Sequence, residues 1–182
     1  MSEVEVHLGG HQGKTCIDEP ILKYLKDVYK IQSMIDIGCG PGGMKEIASQ
    51  HNVKWTGVDG DPTIEQDAVY IHDYTKGGFT LDKTFDLAWS VEFLEHVEEK
   101  YIPNYMKTFQ LADMCVITAA PPGTPGHHHV NCKGLDYWTK VFAEYGFEYN
   151  ANLSASLKMI STMRKDFFKK SGMVFINENR RI

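Results

Sequence analysis

The sequence has no apolar run approaching the ~18 residues that a membrane-spanning helix needs, which argues against a membrane protein of that kind. It has four cysteines, Cys16, Cys39, Cys115 and Cys132, but no C-x-x-C pair, so they read as free thiols of a reducing compartment. The opening MSEVEVHLGGHQGK is polar and acidic and lacks the character of a secretory leader, so a cytoplasmic protein is expected. Basic residues are the minority, 19 Lys and Arg against 24 Asp and Glu, for a net charge of −5. That balance argues against a generic nucleic-acid or anionic-membrane binder, while leaving room for a local basic groove. Repeats, low-complexity tracts and composition breaks are absent too, and 182 residues fit one domain over 1–182.

What is present is an alternation of short apolar strands and amphipathic helices. Asp18 followed by Pro20 has the form of a helix start, and Ile21, Leu22, Leu25, Val28 and Tyr29 repeat at helical spacing to about Lys30. Strands are expected at 33–38, 54–59, 68–72, 85–90, 114–119, 147–149 and 173–176. Further helices are expected at 43–50 and 103–111, around Trp138 to Tyr145 with Gly146 as the stop, and as one long helix carrying Leu157, Ile160, Arg164, Phe167 and Phe168 up to Gly172. Such alternation predicts an α/β fold: a Rossmann-like three-layer sandwich with a mostly parallel seven-stranded sheet covered on both faces. The last strand has room to insert as a hairpin. Residues 1–17, with Gly9, Gly10 and Gly13, read as a loop-like segment that could close over a site as a flexible lid.

The most informative stretch is MIDIGCGPGGM at 34–44, which ends a strand and opens a helix. Gly38, Gly40 and Gly43 satisfy G-x-G-x-x-G, a pattern that also suits a dinucleotide. Asp36, inside the strand, separates the two readings: a carboxylate there repels a pyrophosphate but suits an ammonium. With Gly38, Cys39, Gly40 and Gly42 in the turn, Asp-Ile-Gly-Cys-Gly-Pro-Gly resembles the first motif of the class I S-adenosylmethionine-dependent methyltransferases. The resemblance implies S-adenosyl-L-methionine as cofactor and S-adenosyl-L-homocysteine as product.

The resemblance continues in order. Asp59, at the end of Trp-Thr-Gly-Val-Asp, takes the place of the carboxylate that accepts the ribose hydroxyls; Gly60 and Asp61 follow where the family often has an apolar residue against the adenine. Asp73 and Tyr74, after the third strand, take the place of the residues near the adenine amino group. Ser90, Val91 and Glu92 follow the fourth strand where the methionine portion lies. Leu-Glu-His-Val then opens a helix, and Glu95 and His96 read as helix-start structure.

Methyl transfer has no obligatory catalytic triad, because the donor is already activated and the protein chiefly positions the acceptor. The candidate acceptor side is the loop after the fifth strand, Ala-Ala-Pro-Pro-Gly-Thr-Pro-Gly-His-His-His-Val-Asn, where His127, His128 and His129 supply a base or a polar contact. Its His-Val-Asn followed by Tyr-Trp resembles small bacterial and phage members of the family. His127, His129 and Cys132 lack a fourth zinc ligand at recognisable spacing, so no metal is assigned. His7 and His11 form a second candidate cluster. The basic run Lys158, Arg164, Lys165, Lys169 and Lys170 reads as a solvated helix face, and Trp55, Trp89 and Trp138 as core. The expected activity is methylation of a small hydroxyl-, amine- or sugar-bearing acceptor. A dinucleotide-dependent oxidoreductase and a non-catalytic cofactor-binding partner subunit remain the alternatives, and the oligomeric state is open.

Overall fold

The computed structural model describes residues 5–180. The first four residues of the expected N-terminal lid therefore lie outside the described residues. Helices α1 (Glu19–Tyr29), α2 (Met44–Gln50), α3 (Ile102–Phe109), α4 (Leu135–Glu144), α5 (Ala151–Ile160) and α6 (Phe167–Ser171) alternate with strands β1 (Ser33–Ile37), β2 (Lys54–Asp59), β3 (Val69–Ile71), β4 (Phe85–Ser90), β5 (Ala112–Ile117), β6 (Phe147–Tyr149) and β7 (Met173–Asn177). The strands form one sheet in the order β3-β2-β1-β4-β5-β7-β6. Strands β1 to β5 pair in parallel, and β7 runs antiparallel between β5 and β6, so six of the seven strands share one direction. This is the expected three-layer α/β sandwich, with the last strand inserted as a hairpin.

Alternation along the central strands splits the core into two layers. Ile35, Ile37, Ala88, Cys115 and Ile117 pack beneath Tyr105, Met106, Phe109, Trp138 and Phe142 of α3 and α4. On the other face, Met34, Leu87, Trp89, Met114 and Val116 meet α1, α2 and α5 through Ile21, Leu22, Leu25, Met44, Ala48, Leu153 and Leu157. Each such apolar side chain taken out of water contributes about 1.5–3 kcal/mol. Because both faces are covered, the central strands β1, β4 and β5 are mostly apolar, each carrying a single aspartate, Asp36, Asp86 and Asp113.

Helix α1 starts as its sequence indicates: Asp18 caps it, accepting the Ile21 N–H, and Pro20 stands in the first turn, where no backbone donor is missed. The long helix expected up to Gly172 is instead two. Helix α5 stops at Ile160, a single 3-10 turn covers Arg164–Asp166, and α6 is short. The cause is Asp18. Its buried carboxylate also accepts the Ser161 hydroxyl and the Met163 N–H at 3.2 Å, which holds residues 161–163 extended beside the start of α1. Lys165 and Asp166 then take left-handed backbone conformations that no continuous helix admits. A second expectation also changes. Leu94–His96 is an isolated 3-10 turn and opens no helix; α3 begins only at Ile102.

Candidate functional site

The sheet order reverses at β1, with β2 on one side and β4 on the other, and the crevice beyond the strand ends at such a switch is where open α/β sheets bind ligands. A cavity of about 670 Å³ lies there. That lies within the range of about 300–1,000 Å³ typical of small-molecule sites. Its walls are the turn after β1, the ends of β2 and β3, the segment after β4, the loop after β5, and the N-terminal segment.

The turn after β1 is fixed from both sides. Gly38 and Cys39 donate their N–H groups to the Val58 carbonyl, and Asp59 Oδ2 accepts the Gly40 N–H at 2.7 Å. Gly38 has φ +73°, and a Cβ there would stand 2.5 Å from the Phe93 ring. The glycine is therefore required by its backbone angle and by the aromatic packed on it. Asp36 is buried at the cavity floor and accepts the Trp55 indole N–H at 3.1 Å. No Lys or Arg pairs with it among the described residues. Burial pushes its carboxyl up to about 7, the indole N–H opposing and the Asp59 charge adding to the rise. Burial raises Asp59 as well, against the N–H groups of Asp61 and Gly40 that it accepts.

The N-terminal segment lies along this wall. His7 Nε2 donates to Asp73 at 3.1 Å and His11 Nε2 to Asp61 at 3.0 Å, while Gly13 N–H donates to His11 Nδ1. Thr15 Oγ1 accepts the Gly43 N–H at 3.0 Å. Leu8 packs so closely on Gly60 that a Cβ there would stand 2.5 Å from it, which puts an apolar side chain where the sequence after Asp59 supplies none. Burial alone would raise Asp73 and Asp61, but the Thr75 and His7 bonds to the first, and the Thr63 and His11 bonds to the second, hold both below the usual carboxylate range.

The opposite wall combines β4 and the histidine loop. Glu92, with a left-handed φ of 54°, accepts the Thr118 hydroxyl at 2.8 Å. Glu95 is 0% exposed; burial and the adjacent Glu92 carboxylate push its carboxyl well up. His96 lies against the loop, with Nδ1 2.7 Å from the His127 carbonyl and its ring 5.0 Å from that of His129. Burial and the neighbouring His129 bring the His96 pKa down to about 4, so the ring is neutral near pH 7. His129 Nδ1 lies 2.9 Å from the Thr124 carbonyl.

The cavity thus gathers Asp36, Gly38, Cys39, Gly40, Asp59, Gly60, Asp73, Tyr74, Val91, Glu92 and all three loop histidines. Gly42 and Ser90, also expected at the cofactor, are not on its wall: Gly42 faces Trp55 and Gln66, and the buried Ser90 hydroxyl donates to the Ile37 carbonyl. Tyr74 reaches the cavity from a buried position, its hydroxyl donating to Thr108. Two of the tryptophans read as core also serve the site: Trp55 holds Asp36, and Trp89 lines the cavity. Arg164 and Lys165, read as part of a solvated face, stand at its rim. Sequence reasoning took His96 as helix-start structure and passed over Phe93; the signal for both was their place straight after the fourth strand.

No protein family and no curated protein matches the chain by sequence. Solved structures do match it. The plantazolicin methyltransferase BpumL, in complex with a pentazolic desmethyl analogue and S-adenosylhomocysteine, superimposes with a TM-score of 0.58 at 15% identity over 88% of this chain and 82% of its own. A sugar N-methyltransferase from Streptoalloteichus sp. gives 0.64 at 12% identity over 87% and 85%. The magnesium protoporphyrin IX methyltransferase of Synechocystis, with S-adenosylmethionine bound, gives 0.57 at 14% identity over 86% and 76%. At such identities the likeness is one of architecture, and the chain has the fold of the S-adenosylmethionine-dependent methyltransferases.

Proposed function

We propose that the chain is an S-adenosylmethionine-dependent methyltransferase acting on an oxygen or nitrogen of a small-molecule or sugar-type acceptor. The observation that carries this reading is Asp36, a buried carboxylate on the cavity floor whose hydrogen-bond partner is a neutral indole. A buried charge without a counter-ion is costly, and a cationic ligand group removes that cost. The ammonium of a methionine tail suits that position. A dinucleotide pyrophosphate would instead face Asp36, Asp59 and Glu92 together, which weighs against the oxidoreductase reading.

The other residues fit the same ligand. Each Asp59 oxygen accepts one backbone N–H and keeps lone pairs for a ribose hydroxyl. Leu8 over Gly60 offers apolar surface to an adenine. When bound, S-adenosylmethionine supplies a methyl group already activated on a sulfonium. The chain's part is to orient and to exclude water: the glycine turn and the two aspartates fix the donor, and the N-terminal segment covers it. The histidine loop faces the acceptor, and an imidazole there takes the proton of an acceptor hydroxyl. The structural neighbours that methylate a sugar nitrogen, a plantazolicin precursor and a magnesium porphyrin support the reaction class and span several acceptors.

Binding tests the cofactor. S-adenosylhomocysteine should raise the melting temperature, because a ligand selective for the native state stabilises it by mass action, and NAD should not. A shift with NAD alone would overturn the reading. A panel of sugars, amines and phenols, read by S-adenosylhomocysteine formation, tests turnover; cofactor binding with no acceptor consumed would favour a non-catalytic partner subunit.

A further inference from the structure

We infer that Glu95, His96 and His129 form a binding site for one divalent transition-metal ion of the zinc type on the acceptor wall of the cavity. One ligand atom from each residue lies within 4.8 Å of the others. Small side-chain rotations bring such atoms to about 2.0–2.2 Å from a common ion.

Glu95 supplies the independent reason to place an ion there. Its carboxyl is 0% exposed, and neither oxygen has a partner within strict hydrogen-bond geometry; the Glu92 carboxyl and the Glu95 and Ala120 N–H groups meet it only more loosely. Ionising a carboxyl buried this way carries a large desolvation cost, which a coordinated cation offsets. Glu92 lines the same wall and brings a further carboxyl group to the cavity.

The imidazoles are prepared as ligands. His96 Nδ1 faces the His127 carbonyl and His129 Nδ1 faces the Thr124 carbonyl. A carbonyl oxygen only accepts, so each Nδ1 carries the proton and each Nε2 keeps its lone pair. A ligand histidine whose other ring N–H is held by a backbone carbonyl is the usual support around a bound metal. Gly126 leaves the space that the His129 ring occupies; a Cβ there would stand 2.2 Å from Nε2.

Two histidines and a carboxylate are a donor set for zinc or iron-type ions with an open position for substrate. This differs from the set that the loop sequence brings to mind. Cys132 Sγ lies 3.6 Å from His129 Nδ1, the ring nitrogen already held by Thr124, and the His127 side chain is exposed. If the methyltransferase reading holds, the ion's open position gives an acceptor hydroxyl a Lewis acid on the wall where the acceptor sits. The site itself does not depend on that reading.

The test is metal binding without turnover. The full chain, stripped with chelator and titrated with Zn²⁺ and Co²⁺, should take up one ion per chain, and Co²⁺ should develop visible ligand-field absorption. Glu95→Gln and His129→Asn should each weaken that uptake at least tenfold. His7→Asn, which removes a ligand from the separate Glu5, His7 and Asp73 cluster, should leave it intact. Should Glu95→Gln fail to fold, His96→Asn and His129→Asn carry the test. No stoichiometric uptake, equal uptake by the His129 variant, or loss in the His7 variant alone would each overturn the assignment. S-adenosylhomocysteine affinity, measured in parallel without metal, reports on the cofactor reading separately.

Discussion

Asp59 and Gly40 are joined by a hydrogen bond of 2.7 Å from the glycine N–H to the carboxylate, which ties the end of β2 to the turn after β1. The same carboxylate therefore shapes the glycine turn and, in the proposed function, accepts a ribose hydroxyl. Asp59→Ala should weaken S-adenosylhomocysteine binding by about 1.5–3 kcal/mol, roughly ten- to a hundredfold, as expected for charge-assisted bonds. Calorimetry checks the affinity and circular dichroism the fold. Unchanged affinity would remove Asp59 from the cofactor site.

Asp36 predicts opposite pH responses for the free and the bound protein. Its carboxyl rises on folding to about 7. The folded chain thus holds that proton more tightly than the unfolded chain, and the associated stability is present below about pH 4 and lost as pH rises towards 7. A ligand ammonium favours the ionised form, so S-adenosylhomocysteine affinity should rise between pH 6 and 7.5, with proton release on binding at pH 6. Asp36→Asn should flatten most of both slopes; Asp59, raised by the same burial, leaves a remainder. Calorimetry in buffers of different ionisation enthalpy measures the proton release, and a pH-independent affinity would detach Asp36 from the ammonium.

The three loop histidines should separate under single substitution. His127 holds His96 through its backbone carbonyl and is exposed, whereas the His129 ring is packed against His96. His129→Asn should lower turnover on a responsive acceptor by roughly 10²–10⁴-fold, the span for losing help with the acceptor proton, whether the ring takes it in the metal-free chain or holds an ion that acidifies the acceptor, with S-adenosylhomocysteine affinity nearly unchanged. His127→Asn should cost only a few-fold. Full activity in both variants would make the loop a scaffold and move attention to His7 and His11.

Asp18 lies away from the cavity and predicts a pure stability effect. Asp18→Ala removes the cap of α1 and leaves the Ser161 hydroxyl and Met163 N–H without their shared acceptor. A lost cap costs about 1 kcal/mol and an ordinary hydrogen bond about 0.5–1.5 net, so with the two bonds from residues 161 and 163 a loss of about 2–4 kcal/mol is expected. Urea unfolding should show a lower midpoint with an unchanged slope. A loss under 1 kcal/mol would mean that residues 161–163 hold their course without Asp18.

Local signals carried the sequence reading where local physics decides structure. The strands Lys54–Asp59, Phe85–Ser90 and Phe147–Tyr149 begin and end as their apolar runs do, and Asp18 with Pro20 marks the start of α1. The glycine turn was legible because a strand-to-helix reversal restricts residue choice, and Asp36 and Asp59 stood at its edges. The break after Ile160 was not legible: its cause, Asp18, is remote in sequence, and the local pattern is helical.

By itself, then, the sequence determined the alternating strands and helices, the sheet class and the carboxylates around the first two strand ends, since periodicity, caps and turn chemistry act over a few residues. Only the tertiary structure decided the cavity wall that joins the end of β4 to the histidine loop. Glu95 and His96 follow one strand and His129 follows another, and they meet because β4 and β5 pair in parallel and end at one side of the sheet. Whether a carboxylate is solvated or buried without a partner depends on everything packed around it, and no local pattern encodes that.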